Sequence, residues 1–200
     1  MTSDTAAWFR SIPSLTGAAP SPDLGRLPTD PVELFLAWLR VALEHGVPEP
    51  LATTLATVDA EGVPDSRTLI LKDVDSRGWA FAGPASSGKG AQLASAPAAS
   101  LNSWWQPLAR AVRVRGPVVE ASREESDADL AARHPAARAE VAAGDWTLWR
   151  VEAIRVEFWQ GAADRRHLRI VYTRSESAGR GWELTVTRAG EELRRYDSAD

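Results

Sequence analysis

The first regular pattern of apolar positions falls at Leu34, Phe35, Trp38, Leu39 and Ala42, the three-and-four spacing of a single helical face. Asp30-Pro31-Val32-Glu33 precedes it with a capping carboxylate, a proline at the first helical position and an acid in the first turn, and Gly46 follows it. The pattern predicts a helix over 31–45. From Leu51 the period shortens: LATTLATV, SRTLILKDV and GWAFAG are β-prone runs separated by Asp59-Ala60-Glu61-Gly62 and Asp75-Ser76-Arg77-Gly78. They predict three strands in an antiparallel meander. A short helix is expected over 89–96, then strands at ASLNSWWQ and RAVRVRGPVVE, where Val112 and Val114 alternate with Arg113 and Arg115. Ser122 and Glu125 form a capping-box pair that opens a helix running to about His134, with a helical continuation in the Ala-rich 136–143 stretch. Further strands are expected at about 150–158, 167–174 and 181–187.

Residues 1–28 carry Pro13, Pro20, Pro22 and Pro28 and read as an irregular N-terminal arm, while 191–200 reads as a charged C-terminal tail. Between them, 29–190 reads as a single domain. Strands in hairpin order with segregated helices point to an antiparallel barrel or meander, not a parallel doubly wound sheet. The Gly-rich dinucleotide fingerprint is missing, and Ser86-Ser87-Gly88-Lys89-Gly90 lacks the spacing of a phosphate-binding Walker loop.

Composition narrows the chemistry. With 23 Lys+Arg against 27 Asp+Glu and a net charge of −4, no general affinity for nucleic acid is expected, and any basic site must be local. The absence of cysteine excludes disulfides, thiol nucleophiles and thiolate metal sites, and three histidines leave little for a metal centre. No apolar run is long enough to cross a bilayer, and the first residues lack a secretory pattern, so a soluble, cytoplasmic protein is expected. The nine Trp, against four Phe and two Tyr, either fill a core or stack on something flat.

Three stretches concentrate polar groups in apolar surroundings. In a regular strand Arg67, Leu69 and Leu71 share one face and Lys72 lies on the other, so both cations meet one ligand only if the strand ends or bulges there; solvated edge charges are the plain alternative. Ser86 to Gly90 is a strand-to-helix junction whose free N–H groups, hydroxyl and ammonium suit a phosphate, though any such junction needs a cap. Finally, Glu157-Phe158-Trp159-Gln160-Gly161 precedes Arg165, His167 and Arg169, three alternating residues that in an extended chain form one cationic face.

The order of these pieces, with Leu27-Pro28-Thr29-Asp30-Pro31 before the Trp38-Leu39 helix and Ala56-Thr57-Val58-Asp59 before Gly62 and Pro64, resembles the pyridoxamine 5′-phosphate oxidase family. Its members are FMN-binding homodimers, and the resemblance covers roughly 28–135 and 150–174. It implies a mainly β (β+α) fold: an antiparallel split β-barrel of the FMN-binding type with packed helices. It also implies that Arg67, Ser87 and Lys89 hold the FMN phosphate, with the backbone of Arg67, Thr68, Leu69, Leu71 and Lys72 along the flavin. Trp159 and Arg169 would touch flavin across the dimer interface. Lys72 would grip a substrate phosphate, and Arg165 and His167 would sit catalytically beside the substrate amine or alcohol whose hydride passes to flavin.

Departures from the family pattern are Gly88 where a second phosphate-site arginine stands, Ala111 where a glutamine stands, and Ala82-Gly83 where two residues touch flavin. The 135–159 connection is short, and the family's substrate-phosphate tyrosine and arginine fall near Leu130 and near Arg133 or His134. Three readings follow. The first is an FMN-dependent oxidase acting on a pyridoxine or pyridoxamine phosphate. The second is a specialised-metabolism flavin oxidase resembling the phenazine-pathway enzymes, and the third a flavin-free binding protein on the same scaffold. Most Trp residues read as core filler; Trp159 alone sits in a motif suited to a flat ligand.

Overall fold

The computed structural model describes residues 4–175 and 181–196. Helix α1 (Asp4–Ser11) is followed by an irregular segment and α2 (Pro31–Glu44), where the Asp30 carboxylate accepts from the Val32 N–H at 2.8 Å. Strands β1 (Ala52–Val58), β2 (Pro64–Ile70), β3 (Asp73–Asp75) and β4 (Gly78–Pro84) lead to α3 (Gly88–Ser95). Then come β5 (Ala98–Trp105), β6 (Arg110–Glu120), α4 (Arg123–Ala131), α5 (Pro135–Ala139), β7 (Trp146–Val151), β8 (Arg155–Gln160), β9 (Leu168–Arg174), β10 (Trp182–Arg188) and β11 (Glu191–Tyr196). All pairings are antiparallel, and one path runs β11-β10-β9-β8-β6-β5-β1-β2.

The second group of strands branches from β6. Residues 110–115 of that strand pair with β8, whereas Val118 to Glu120 pair with β7, which in turn pairs with β4 and through it β3. The switch occurs at Gly116-Pro117, where a Cβ on Gly116 would stand 2.0 Å from the Glu152 carbonyl oxygen. Only a residue without a side chain lets the chain between β7 and β8 approach this closely. The Glu152 N–H then donates to the Pro117 carbonyl at 2.9 Å, and the Ile154 N–H to the Arg115 carbonyl at 3.0 Å.

Helix α2 closes the structure. Phe35 meets Trp79 edge-on and Trp105 at a tilt, both with centroids 6.0 Å apart, and Trp38 meets Phe158 at 5.2 Å. The Arg110 guanidinium is buried 4.1 Å from the Trp38 ring centroid, donates to Gln160 and to the Pro20 carbonyl, and is pulled down to about 10 by desolvation. Eight of the nine Trp residues are thereby placed in strands or α2, with Trp38, Trp79, Trp105, Trp146 and Trp149 buried.

The 31–45 helix, the 59–62 hairpin, the 89–96 helix and the capping box at Ser122 stand as expected. Elsewhere the expectations need correction. The 66–74 run is not one strand of a meander: it breaks after Ile70, the Leu71 N–H bonding Leu51 and the Lys72 N–H bonding Ala80, so the chain crosses between sheet portions there. The 150–158 run splits into β7 and β8 because of the turn against Gly116, and the Ala-rich continuation is helical only over Pro135–Ala139. Within the 1–28 arm, Asp4–Ser11 is helical. The arm is held by Ala18 N–H to Pro107, Arg110 to Pro20 and Tyr172 O–H to Pro28. Residues 191–196, read as tail, pair with β10; residues 197–200 lie outside the described residues.

Phe35 is 1 % exposed and touches two further buried rings. Phe35→Ala is expected to lower unfolding free energy by about 3–5 kcal/mol, through lost transfer energy plus a cavity, as read by chemical denaturation.

Candidate functional site

Arg67 lies on β2, an edge strand paired on one side only by β1; the Leu71 N–H bonds the Leu51 carbonyl, so by alternation the Leu69 backbone also faces β1 and that of Thr68 points outward, open to a ligand. Its guanidinium donates to the Thr57 hydroxyl, to Asp65 at 2.7 Å and to the Gln92 carbonyl oxygen on α3 at 2.8 Å. The hydrogen bonds from Gln92 and the Ser66 N–H, together with the Arg67 charge, hold the Asp65 carboxyl below its usual range. Leu71 is buried in the core, so its side chain is packing.

Lys89 rises from the first turn of α3, whose cap is Ser87: the Ser87 hydroxyl accepts from the Gly90 N–H at 3.3 Å and from the Lys89 ammonium at 3.2 Å. The ammonium reaches across Gly83 to within 5.8 Å of the Trp149 ring centroid. A Cβ on Gly83 would lie 2.1 Å from Nζ, so a side chain here would displace the ammonium from its present position. Burial and then the nearby Arg67 charge push the Lys89 ammonium below its ordinary value, only partly offset by Asp145. Asp145 is itself tied to the Ser86 N–H at 2.8 Å and hydroxyl at 2.6 Å. Two cations thus share a half-buried space beside a helix N-terminus with insufficient negative charge, the environment a phosphate group relieves. The donor set fits the FMN phosphate even with Gly88 in place of a further cation.

A second cluster lies on the other arm of the long sheet. Trp159 on β8 sits directly opposite Arg169 on β9 and opposite Ala111 on β6. Its ring meets Trp104 at 6.1 Å and His167 at 4.9 Å. The His167 Nδ1 accepts from the Ala162 N–H at 3.0 Å, which leaves Nε2 as the protonated nitrogen of the neutral ring. Arg169 donates to Glu157 at 2.8 Å, and Arg113 and Arg155 donate to the other Glu157 oxygen at 2.8 and 2.9 Å. Burial works against the Glu157 charge, but the bonds and charges of Arg113, Arg169 and Arg155 outweigh it and keep the carboxyl low. The expected single face of Arg165, His167 and Arg169 does not form: β9 begins at Leu168, and Arg165 sits exposed in the preceding turn with φ +65°.

A third group surrounds Lys72, just past the strand break. Its ammonium is 3.6 Å from one oxygen of Asp129 on α4, and the other oxygen accepts from the Trp146 indole N–H at 2.8 Å. The Arg133 guanidinium stacks 4.3 Å from the Trp146 ring centroid. Asp129, Trp146, Glu157 and Gln92 are partners that the sequence reading missed. Asp129 directly precedes Leu130, the position it singled out, and a one-residue shift on a helix turns the side chain by roughly 100°.

In one chain the Arg67 and Trp159 clusters remain apart. Strands β1, β5 and β6 stand between β2 and β8, four inter-strand steps or about 19 Å along the sheet. A cavity of about 820 Å³ lined by Asp30, Arg77, Trp79 and Trp182 contains none of these residues. Among the described residues no cluster suits a metal ion, and no helix is long and apolar enough to cross a membrane.

Comparison with known proteins shows the family and the fold. The family model described as pyridoxamine 5′-phosphate oxidase aligns with residues 39–160, and that of the pyridoxine 5′-phosphate oxidase C-terminal dimerisation region with 146–186. A pyridoxine/pyridoxamine 5′-phosphate oxidase of Paraburkholderia phymatum is 35% identical over 194 residues, covering 82% of this chain and 91% of its own. The protein of the same description from Bordetella petrii is 39% identical over 172 residues, covering 71% and 82%. Among solved structures, PhzG from Burkholderia lata 383 in complex with tetrahydrophenazine-1-carboxylic acid superposes with a TM-score of 0.78 at 25% identity, over 86% of this chain and 99% of PhzG. Matched over most of its length in sequence and in fold, the chain belongs to the pyridoxamine 5′-phosphate oxidase family of FMN-dependent oxidoreductases.

Proposed function

We propose that two copies of this chain form a homodimer in which the Arg67–Lys89 cluster of one copy and the Trp159–Arg169 cluster of the other enclose a single FMN. The observation that carries this reading is the half-buried, undercompensated Lys89 ammonium beside Arg67, held open by Gly83. Arg67, Lys89 and the Ser87 cap neutralise and orient the phosphate, while the free edge of β2 at Thr68 supplies backbone groups alongside the ring, with the Leu69 side chain beside it. When bound, FMN supplies the hydride acceptor, and no protein nucleophile is needed. Arg169, fixed by Glu157, presents a positive charge to the flavin from the other copy, and Trp159 covers it. His167 offers its Nε2 proton and Arg165 its guanidinium to the substrate, and Lys72 lies where the substrate's anionic group binds. The substrate is a planar ring compound of the kind named for the relatives, a pyridoxine derivative or a reduced phenazine carboxylic acid. A cysteine-free chain suits a reducing, cytoplasmic setting.

The purified protein is expected to be yellow, to take up added FMN and to run as a dimer by light scattering. Lys89→Met and Gly83→Ala should each weaken FMN binding by about 10–100-fold in a flavin-fluorescence titration, with unchanged far-UV circular dichroism. A colourless protein that ignores added FMN would overturn the reading.

The Lys89 ammonium lies below its ordinary value of 10.5, so without ligand it loses its proton earlier on raising the pH than it does in the unfolded chain. Folded protein then binds fewer protons than unfolded protein in the window below 10.5, and the apo form gains stability across it. An FMN phosphate draws the proton back. The FMN-induced rise in melting temperature should therefore shrink as pH climbs through that window, and Lys89→Met should abolish the shrinkage.

Arg165→Ala and His167→Phe should each cut turnover by at least about tenfold while FMN stays bound, since neither residue belongs to the phosphate cluster. Undiminished turnover in both would exclude their substrate role.

A further inference from the structure

Lys72 is the residue on which the substrate's anion depends in the reading above, and it is not free. Its ammonium faces Asp129 at 3.6 Å, and that carboxylate is only 15% exposed. Asp129 cannot turn away cheaply, because its second oxygen is the acceptor for the Trp146 indole N–H at 2.8 Å and Trp146 is buried. Rotating the carboxylate would leave a buried donor without a partner. Over the face of the same indole stands Arg133, its guanidinium 4.3 Å from the ring centroid, its Nε buried and without a hydrogen-bond partner among the described residues. The next cation along, Arg150, lies among Asp73, Asp75 and Glu125, which outnumber it, so it brings no further positive charge to the group.

Lys72 and Arg133 bring two positive charges and Asp129 one negative, so the group presents a single net positive charge to a ligand. A phosphate monoester carries close to two negative charges at neutral pH and three acceptor oxygens. It would have to approach Lys72 past a fixed carboxylate, and like charges at such range in a partly buried site repel strongly. A carboxylate carries one charge and matches the net charge present; the planar fork of Arg133 accepts either anion, so the choice rests on charge.

We propose that Asp129 is a specificity-determining residue that sets this enzyme's substrate class: a planar ring compound bearing a carboxylate in place of a phosphate ester. The inference rests on the placement of Lys72 at the substrate end of the flavin site. It differs from the family resemblance, which gave Lys72 a phosphate to hold.

The test is calorimetric titration of the FMN-loaded dimer with phenazine-1-carboxylate and, separately, with pyridoxine 5′-phosphate. The wild-type protein is expected to bind the carboxylate at least about tenfold more tightly. Asp129→Asn retains an oxygen acceptor for Trp146, and should move the affinity ratio about tenfold towards the phosphate. Tighter phosphate binding by the wild type, or a ratio unmoved by the substitution, overturns the proposal. FMN uptake is read independently from the visible absorbance of the same samples, and the two titrations are repeated without FMN. A yellow protein that prefers phosphate refutes the carboxylate assignment and leaves the flavin site standing. A colourless protein that still prefers the carboxylate refutes the flavin site alone.

Discussion

Strand β6 has to serve two sets of partners, and the rest of the architecture follows from how it does so. Its first half pairs with β5 and β8, its last residues with β7, and the exchange takes place at Gly116-Pro117. A side chain at position 116 would collide with the Glu152 carbonyl, and the proline that follows has no N–H to leave unpaired at the bend. Because β6 changes partners, β4 and β7 are carried away from the long sheet and present Gly83 and Trp149 to Lys89. The same displacement brings Trp146 onto α4, where it meets Asp129. Both the Arg67–Lys89 cluster and the Lys72 group therefore depend on one local contact that neither of them touches.

The candidate site residues divide by how their charge is balanced. Glu157 is surrounded by three arginines and stays ionised despite burial, which fixes Arg169 in place. Lys72 is matched by a single carboxylate. Lys89 is the one left short: burial and Arg67 both disfavour its charge, and Asp145 compensates only in part. A group whose ionised form is held in an unfavourable setting marks a place where an incoming anion gains most. The Gly83 position, which looks like a lost flavin contact when read as a departure from the family, has a direct steric role in creating that setting.

Much of the fold was legible along the chain. The 31–45 helix, the hairpin at 59–62 and the capped helix at Ser122 were readable because periodicity, turn residues and caps act within a few positions. The strand break after Ile70 was not, since Leu71 and Lys72 continue an unbroken β-prone run and only their bonds to Leu51 and Ala80 divide it. Nor was β11, whose charged sequence pairs with β10 at an exposed edge. For the candidate site, residue types and order singled out Arg67, Lys89, Trp159 and Arg169. They did not identify the partners, because Gln92, Asp129 and Glu157 are ordinary polar residues until a neighbour is brought to them.

Sequence by itself determined the local elements, the cationic residues available for a phosphate and the family to which the chain belongs. Those properties depend on short-range sterics and on the order of residue types. Tertiary structure alone decided that Arg67 and Trp159 lie four strands apart in one chain, that Arg165 leaves the strand face, and that Lys72 meets Asp129. Each of these depends on which strands pair and where β6 exchanges its partners, and such long-range choices are set by packing of the whole core, which no local stretch of residues encodes.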